Sequence, residues 1–245
     1  MKHILLLGSL LLIGCGRSPL ILSEPVEKSP PPVIEKASSS STFSSASSAQ
    51  ASTPQSIRLD LSFASQAPLM NWEDPYQEAC EEASIILAHH YFSKAPLTNE
   101  IMDKEIVDLV RWETEHGYPQ DVTAMQLSTI AEEYYGYDTE YVENADVTAD
   151  RMERAIAAGL PVIVPLDGQD VGNPYYSGDG PPYHVLVVVG FDPSHFITHD
   201  VGTRRGAYYE YDKDVLLDAI HDWTGSKETI RRGKKAMLIV RPTDS

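Results

Sequence analysis

Cysteine is scarce in this chain: two residues, Cys15 and Cys80, among 245. Two thiols make no disulfide framework, and their separate surroundings give each its own task. Basic residues are also few, 19 against 36 acidic, which leaves a formal charge of -17 and a pI near 4.7. That balance excludes a nucleic-acid partner held by phosphate neutralisation, and an anionic membrane surface would repel the chain. No apolar run is long enough to span a bilayer, and no internal repeat is visible.

What is present begins with an address. Lys2 supplies a positive start, and Ile4 to Ile13 form an apolar stretch broken only by Gly8 and Ser9, the length of a signal peptide. The stretch ends in Leu12-Ile13-Gly14-Cys15, which resembles the bacterial lipobox. The resemblance implies cleavage before Cys15 and lipidation of that residue, so that the mature protein is anchored to a membrane or cell surface without crossing it. Residues 1–14 are thus the expected signal peptide. From Gly16 to Ile57, thirteen of 42 residues are Ser and six are Pro, a composition that buries too little apolar area to offset the entropy of ordering. Residues 15–57 are therefore expected to be a lipidated cysteine and a disordered tether. The domain is expected over 58–245. The first 57 residues carry four basic and three acidic side chains, so the domain holds 15 basic against 33 acidic, or -18. Such a domain is expected to steer cationic peptides toward itself.

Within the domain, Gln77 to Phe92 reads as a helix with acidic residues in its first turn. Asn99 is the expected N-cap of a second helix to about His116 with Gly117 as its stop, and Thr123 with Gln126 makes a capping-box pattern for a third ending near Gly136. A strand at Asp138 to Val142 and a helix capped by Thr148 follow. Pro161 to Leu166, Tyr183 to Phe191, His195 to Asp200, Ala207 to Tyr211 and Ala236 to Arg241 are short and rich in β-branched or aromatic residues. Helices first and strands second predict an α+β fold.

Cys80 stands near the start of the first predicted helix, where unpaired amides and the helix dipole favour the nucleophilic thiolate. His184 opens an apolar strand with no room for a charge, after a loop rich in Gly and Pro. The turn Asp192-Pro193-Ser194 folds the next strand back, so that its end, Asp200, comes within three positions of the residue opposite His184. Thiol, imidazole and carboxylate in that order suit acyl transfer. Glu81 and Glu82 bear on the thiolate with the wrong sign.

Gln66, Cys80-Glu81-Glu82-Ala83-Ser84, Tyr183-His184-Val185-Leu186-Val187-Val188-Val189-Gly190 and His199-Asp200 together resemble the papain-like peptidases related to the bacteriocin-leader, double-glycine peptidases. The resemblance implies a papain-like fold, with a nucleophile helix packed on a twisted antiparallel sheet. It implies Cys80 as nucleophile, His184 as general base and acid, and Asp200 as its orienter. Gln66 would donate to the oxyanion beside the Cys80 backbone amide, with Gln77 as a rival donor. The expected function is a surface-anchored lipoprotein cysteine peptidase, acting as a monomer on peptide or protein substrates and needing no cofactor or metal. A catalytically silent binding module and an amidase acting on peptidoglycan stem peptides are the alternatives.

Tyr175, Tyr176 and Tyr183, in or beside the loop from Asp167 to Pro182, are expected substrate-binding residues, and that loop is expected to roof the cleft. Its oxygens, Asp167, Asp170, Asn173 and Asp179, miss the EF-hand spacing, so a solvated acidic loop is the preferred reading over calcium. His89 and His90 lack the i, i+4 spacing of a metal pair and are expected to pack, and a zinc site at His195 and His199 is not expected. Arg231-Arg232 and Lys234-Lys235 are expected to lie exposed and to pair with acidic surface.

Overall fold

A computed structural model of the chain describes residues 55–243. The expected signal peptide, Cys15 and the tether as far as Pro54 lie outside the described residues. In chain order the elements are β1 (Ile57–Arg58), α1 (Cys80–Ser93), α2 (Asn99–His116), α3 (Ala124–Tyr135), β2 (Asp138–Glu143), α4 (Ala149–Ala157), β3 (Val162–Leu166), β4 (His184–Phe191), β5 (His195–His199), β6 (Tyr209–Asp212), α5 (Lys213–Ala219) and β7 (Ala236–Arg241). The helices gather in the first half and the strands in the second, as an α+β fold requires. Among the described residues no helix is long and apolar enough to cross a membrane.

One antiparallel sheet of seven strands runs β2-β7-β3-β4-β5-β6, with β1 paired to β4 through Ile57↔Phe191 and Arg58↔Gly190. Ile57 was the last residue of the expected tether. Strand β4 is buried along its whole length, and both α1 and α4 pack against it. That double cover explains an unbroken apolar sequence in an antiparallel strand, where alternation is the rule. Helix α1 has the same property: Ile85, Ile86, Leu87 and Ala88 are successive and all fully buried. A helix apolar on every side belongs inside, and α2, α3 and the sheet enclose it.

Helix boundaries follow local hydrogen bonding. The Thr123 hydroxyl accepts from the Gln126 amide while Gln126 reaches back to the Thr123 amide, completing the capping box. Thr148 caps α4 by accepting from Arg151. For α2 the cap is Thr98, which accepts from Ile101 at 3.3 Å, and not Asn99, which is the first helical residue. The first helix also begins later than its sequence pattern predicts. Tyr76–Glu78 form a separate 3-10 turn, and Cys80 is the first residue of α1 proper.

Candidate active site

Two structural corners meet at one cleft of about 570 Å³. The first is the start of α1. Ala79 precedes Cys80 and has no side-chain oxygen with which to cap the helix, so the opening amides have no side-chain partner. The second is the end of the sheet where β4 begins and β5 finishes. His184 pairs with Leu166 across β3, and Val187 pairs with His199 across β5. Continuing that register by one residue sets Asp200 opposite Leu186, two positions from His184 and within the predicted margin.

His184 Nε2 lies 2.9 Å from Asp200 Oδ1, both side chains being buried. The bond occupies Nε2 and leaves Nδ1 as the second ring nitrogen. Asp200 collects four further donors. Its Oδ1 accepts from the Gly202 amide at 3.0 Å, and its Oδ2 accepts from Asn173 Nδ2 at 3.0 Å, Tyr176 OH at 2.7 Å and Tyr211 OH at 2.5 Å. Burial alone would raise the Asp200 pKa, but His184 and the two hydroxyls outweigh it and hold the carboxyl below the usual carboxylate range. Tyr176 also sets its ring edge-on to His184, at 5.7 Å between centroids. Gly202 fits between them: a Cβ there would come within 2.8 Å of His184 Cε1 and 3.2 Å of Tyr176 Cε1.

Cys80 is 4% exposed and lines the cleft with His184. The Val185 amide, one residue beyond His184, faces its sulfur. The thiol itself donates to Glu81 Oε2 at 3.0 Å, while Glu81 Oε1 accepts from the Val122 amide at 3.1 Å. Burial first, and Glu81 second, push the Cys80 thiol well above its ordinary pKa, against the smaller opposing effect of the Val185 amide. This corrects the expectation of a thiolate stabilised by the helix start: removal from water and a buried carboxyl win over a dipole worth about 1 kcal/mol or less.

Glu81 is one of three buried acids here, with Glu82 and Glu113. Burial raises all three, and Glu113 is pushed up to about 11. Glu82 Oε2 and Glu113 Oε1 have no partner. Protonation is the inexpensive state for such a group, because a neutral carboxyl costs far less to bury than an anion.

Gln66 and Gln77 both line the cleft. Gln66 Nε2 donates to the carbonyls of Tyr76 at 2.9 Å and Gln77 at 3.0 Å, and its buried Oε1 has no partner. Two carbonyl acceptors fix that orientation, since a flipped amide would oppose oxygen to oxygen. Both hydrogens predicted to serve an oxyanion are thus engaged elsewhere. Gln77 Nε2 is exposed and 3.3 Å from Glu78 Oε1. Of the three tyrosines expected to bind substrate, Tyr175 is 44% exposed at the cleft, whereas Tyr176 gives its hydroxyl to Asp200 and Tyr183 gives its own inward to the Val122 carbonyl at 2.7 Å. Asn173 and Tyr211, as supports of Asp200, went unread in the sequence.

The other candidates are engaged structurally. His89 bonds Tyr137 and stacks on Tyr135, and His90 bonds Glu105 at 2.9 Å. His195 pairs with Asp192, and His199 bonds the Leu61 carbonyl. In the acidic loop, Arg231 takes both Asp167 and Asp170, and Lys234 and Lys235 pair with Glu143 and Asp218, as expected of them, whereas Arg232 makes no ion pair among the described residues.

Comparison with known proteins places these features in a lineage. No curated protein matches the chain. Among solved structures, a protein assigned as a C39-like peptidase from Bacillus anthracis is 12% identical, with a TM-score of 0.50 over 78% of this chain and 100% of its own. A double-glycine-motif protease from an AMS/PCAT transporter, solved with the leader peptide, is 17% identical over 76% of this chain and 94% of its own, at a TM-score of 0.39. Xylellain, a cysteine protease from Xylella fastidiosa, is 14% identical over 79% and 88%, at 0.40. The model of the Peptidase_C39 like family matches residues 59–229, the greater part of the chain and all of the elements that build the cleft. With a helix-opening cysteine and a strand-opening histidine lining one cleft on an α+β scaffold, the chain belongs to the Peptidase_C39 like family.

Proposed function

We propose that the protein is a cysteine peptidase that hydrolyses peptide bonds with Cys80, His184 and Asp200. The observation that carries this reading is the buried His184–Asp200 pair on the wall of a cleft that Cys80 also lines. Asp200 accepts at Nε2, so His184 presents Nδ1 to the thiol, takes its proton and returns it to the leaving amine. The sulfur attacks the amide carbonyl, the amine departs to leave a thioester, and water hydrolyses that ester to free the acid and restore the thiol. The Cys80 backbone amide receives the oxyanion together with one glutamine. Gln77 is exposed for that duty; Gln66 must first surrender a carbonyl. Glu81 Oε2 accepts from the resting thiol, so attack requires the sulfur to leave it.

The same reading extends to location. Cleavage before Cys15 and its lipidation would display the domain on a tether at a bacterial membrane or cell surface, and the supporting feature is the Leu12-Ile13-Gly14-Cys15 sequence after an apolar stretch. A Cys15→Ser chain should leave the membrane fraction and lose a lipid label.

The direct test is a peptide-aldehyde or epoxide adduct mapped by mass spectrometry, together with turnover of a peptide library. An adduct on Cys80, with turnover lost in Cys80→Ser and His184→Ala, is the expected result. An unmodified Cys80 and no turnover would leave a binding module. Release of stem peptides from purified sacculi, with the peptide library untouched, would make the chain an amidase.

A further inference from the structure

From Arg58 onward the chain carries 15 basic and 33 acidic residues, yet its basic side chains are unevenly spent. Ten of the fifteen sit in ion pairs: Lys104, Arg111, Arg151, Arg154 and Lys213 among the helices and strands, and Lys227, Arg231, Lys234, Lys235 and Arg241 toward the end. Arg204 and Arg205 make no ion pair among the described residues, and both are exposed and line the cleft. The acid that shares the cleft with them, Glu78, is already neutralised by Lys227 at 2.6 Å. Among the residues that line the cleft, the two arginines are therefore the charges without a salt-bridge partner, on a strongly negative domain.

The two arginines are also held in place. The loop from Val201 to Gly206 is closed at its root by the Asp200 amide donating to the Gly206 carbonyl at 3.0 Å. Inside it, the Gly206 amide donates to the Thr203 carbonyl, and the Arg205 amide to Thr203 Oγ1 at 3.3 Å. The Val201 carbonyl accepts from the Gln66 amide at 2.9 Å, which ties the loop to the far side of the cleft. A Cβ on Gly206 would lie 1.8 Å from the Asp200 carbonyl oxygen, so the closure tolerates no side chain there. The Arg205 guanidinium stands over the Tyr175 ring at 4.9 Å, and Arg204 Nη1 lies 2.9 Å from Met70 Sδ. Beside them Leu69, Met70 and Trp72 are 49%, 65% and 42% exposed. Exposed apolar side chains next to paired arginines make a surface with one apolar and one anionic preference.

Resting on the peptidase reading for the nature of the occupant, we propose that Arg204 and Arg205 form an anion subsite which selects peptides bearing a carboxylate side chain beside an apolar one. The loop that carries them is rooted at Asp200 and touches the His184 ring through Gly202, so the recognised acid lies close to the scissile bond. This reverses the preference that net charge implies. Long-range repulsion is screened over about 10 Å at 0.1 M salt, whereas a guanidinium–carboxylate pair is made at contact.

The test separates binding from turnover. Full-chain Cys80→Ser protein is titrated into short peptides carrying a neutral coumarin, identical except for one Glu, Gln or Lys walked along a leucine-containing sequence, and followed by fluorescence anisotropy. At one or two positions Glu should bind about tenfold more tightly than Lys, with Gln between. R204Q/R205Q should level the series, while R204K/R205K should keep its order. Equal binding at every position, a preference for Lys, a preference that survives R204Q/R205Q, or no binding by any peptide overturns the subsite. Turnover of the same peptides by the wild-type chain reads the other claim. Hydrolysis without charge preference overturns the subsite and spares the peptidase. Charge-selective binding without hydrolysis spares the subsite and removes the peptidase.

Discussion

At the scale of single residues, the cleft is governed by a contest over one proton. Cys80 donates to Glu81, and that carboxyl together with burial keeps the thiol above its ordinary range. Glu81→Gln keeps the shape and removes the acid. Alkylation of Cys80 by iodoacetamide should then accelerate several-fold at pH 7.5, and the apparent thiol pKa should fall. An unchanged or higher value would mean that Glu81 has no hold on the sulfur. Asp200→Asn removes the charge that complements a protonated His184 and lets an amide contest the tautomer, so kcat should fall by about a hundredfold or more with KM nearly constant. Between the glutamines, whichever Ala substitution lowers kcat by about a hundredfold or more identifies the oxyanion donor. The meeting of His184 with Asp200 was legible in the sequence because the turn Asp192-Pro193-Ser194 folds β5 back along β4. The four donors that share Asp200 with His184 were not, since residues 173, 176, 202 and 211 follow no spacing and only the folded loop gathers them.

At the scale of elements, boundaries with a hydrogen-bonding signature were readable and those without one were not. The Thr123–Gln126 box and the strand Ala236–Arg241 appear where their residues predict them. Helix α5 escaped detection because it has seven residues and Asp212 makes no side-chain cap. The late start of α1 escaped because Gln77 and Glu78 suit a helix, yet in the fold they belong to the preceding 3-10 turn. Thr123→Ala should cost about 1 kcal/mol in chemical denaturation, with the midpoint falling and the slope unchanged. The loop after β5 makes a sharper prediction. Gly202→Ala drives a methyl against the His184 ring, so turnover should fall steeply while the melting temperature moves little. A large loss of stability with intact kcat in the folded fraction would contradict this account of the glycine.

At the scale of the whole molecule, pH dependence follows from which charges the fold keeps out of water. Glu81, Glu82 and Glu113 have raised pKa values when folded, so the folded state binds more protons than the unfolded chain. Their stabilisation is complete below the ordinary carboxyl range and is lost as pH rises toward the folded values. Between pH 7.0 and 8.5 the lowered histidines, His89 and His199, are neutral when folded and about a quarter protonated or less when unfolded, so their opposing effect is small and fades across the window. Glu113, with its folded value of about 11, then sets a slope of about -1.4 kcal/mol per pH unit, or about 2 kcal/mol across that window. Denaturation with urea at both pH values measures it, and Glu113→Gln should flatten the dependence; a wild-type stability that rises with pH would refute the burial of neutral acids. The sequence shows Glu81 and Glu82 only as acids in a first turn, ordinarily a solvated place. Their burial needs α2 to lie across them with Glu113, which is information about packing.

Those carboxyls also make unfolding an acid-releasing event. When the chain opens at neutral pH, each acid that was neutral inside ionises and hands its hydrogen ion to the buffer. The heat of melting should therefore differ between phosphate and Tris at the same pH, by the difference in buffer ionisation enthalpy multiplied by about one hydrogen ion, the one that Glu113 holds. Glu113→Gln should reduce that number, and calorimetry counts it without reference to any substrate.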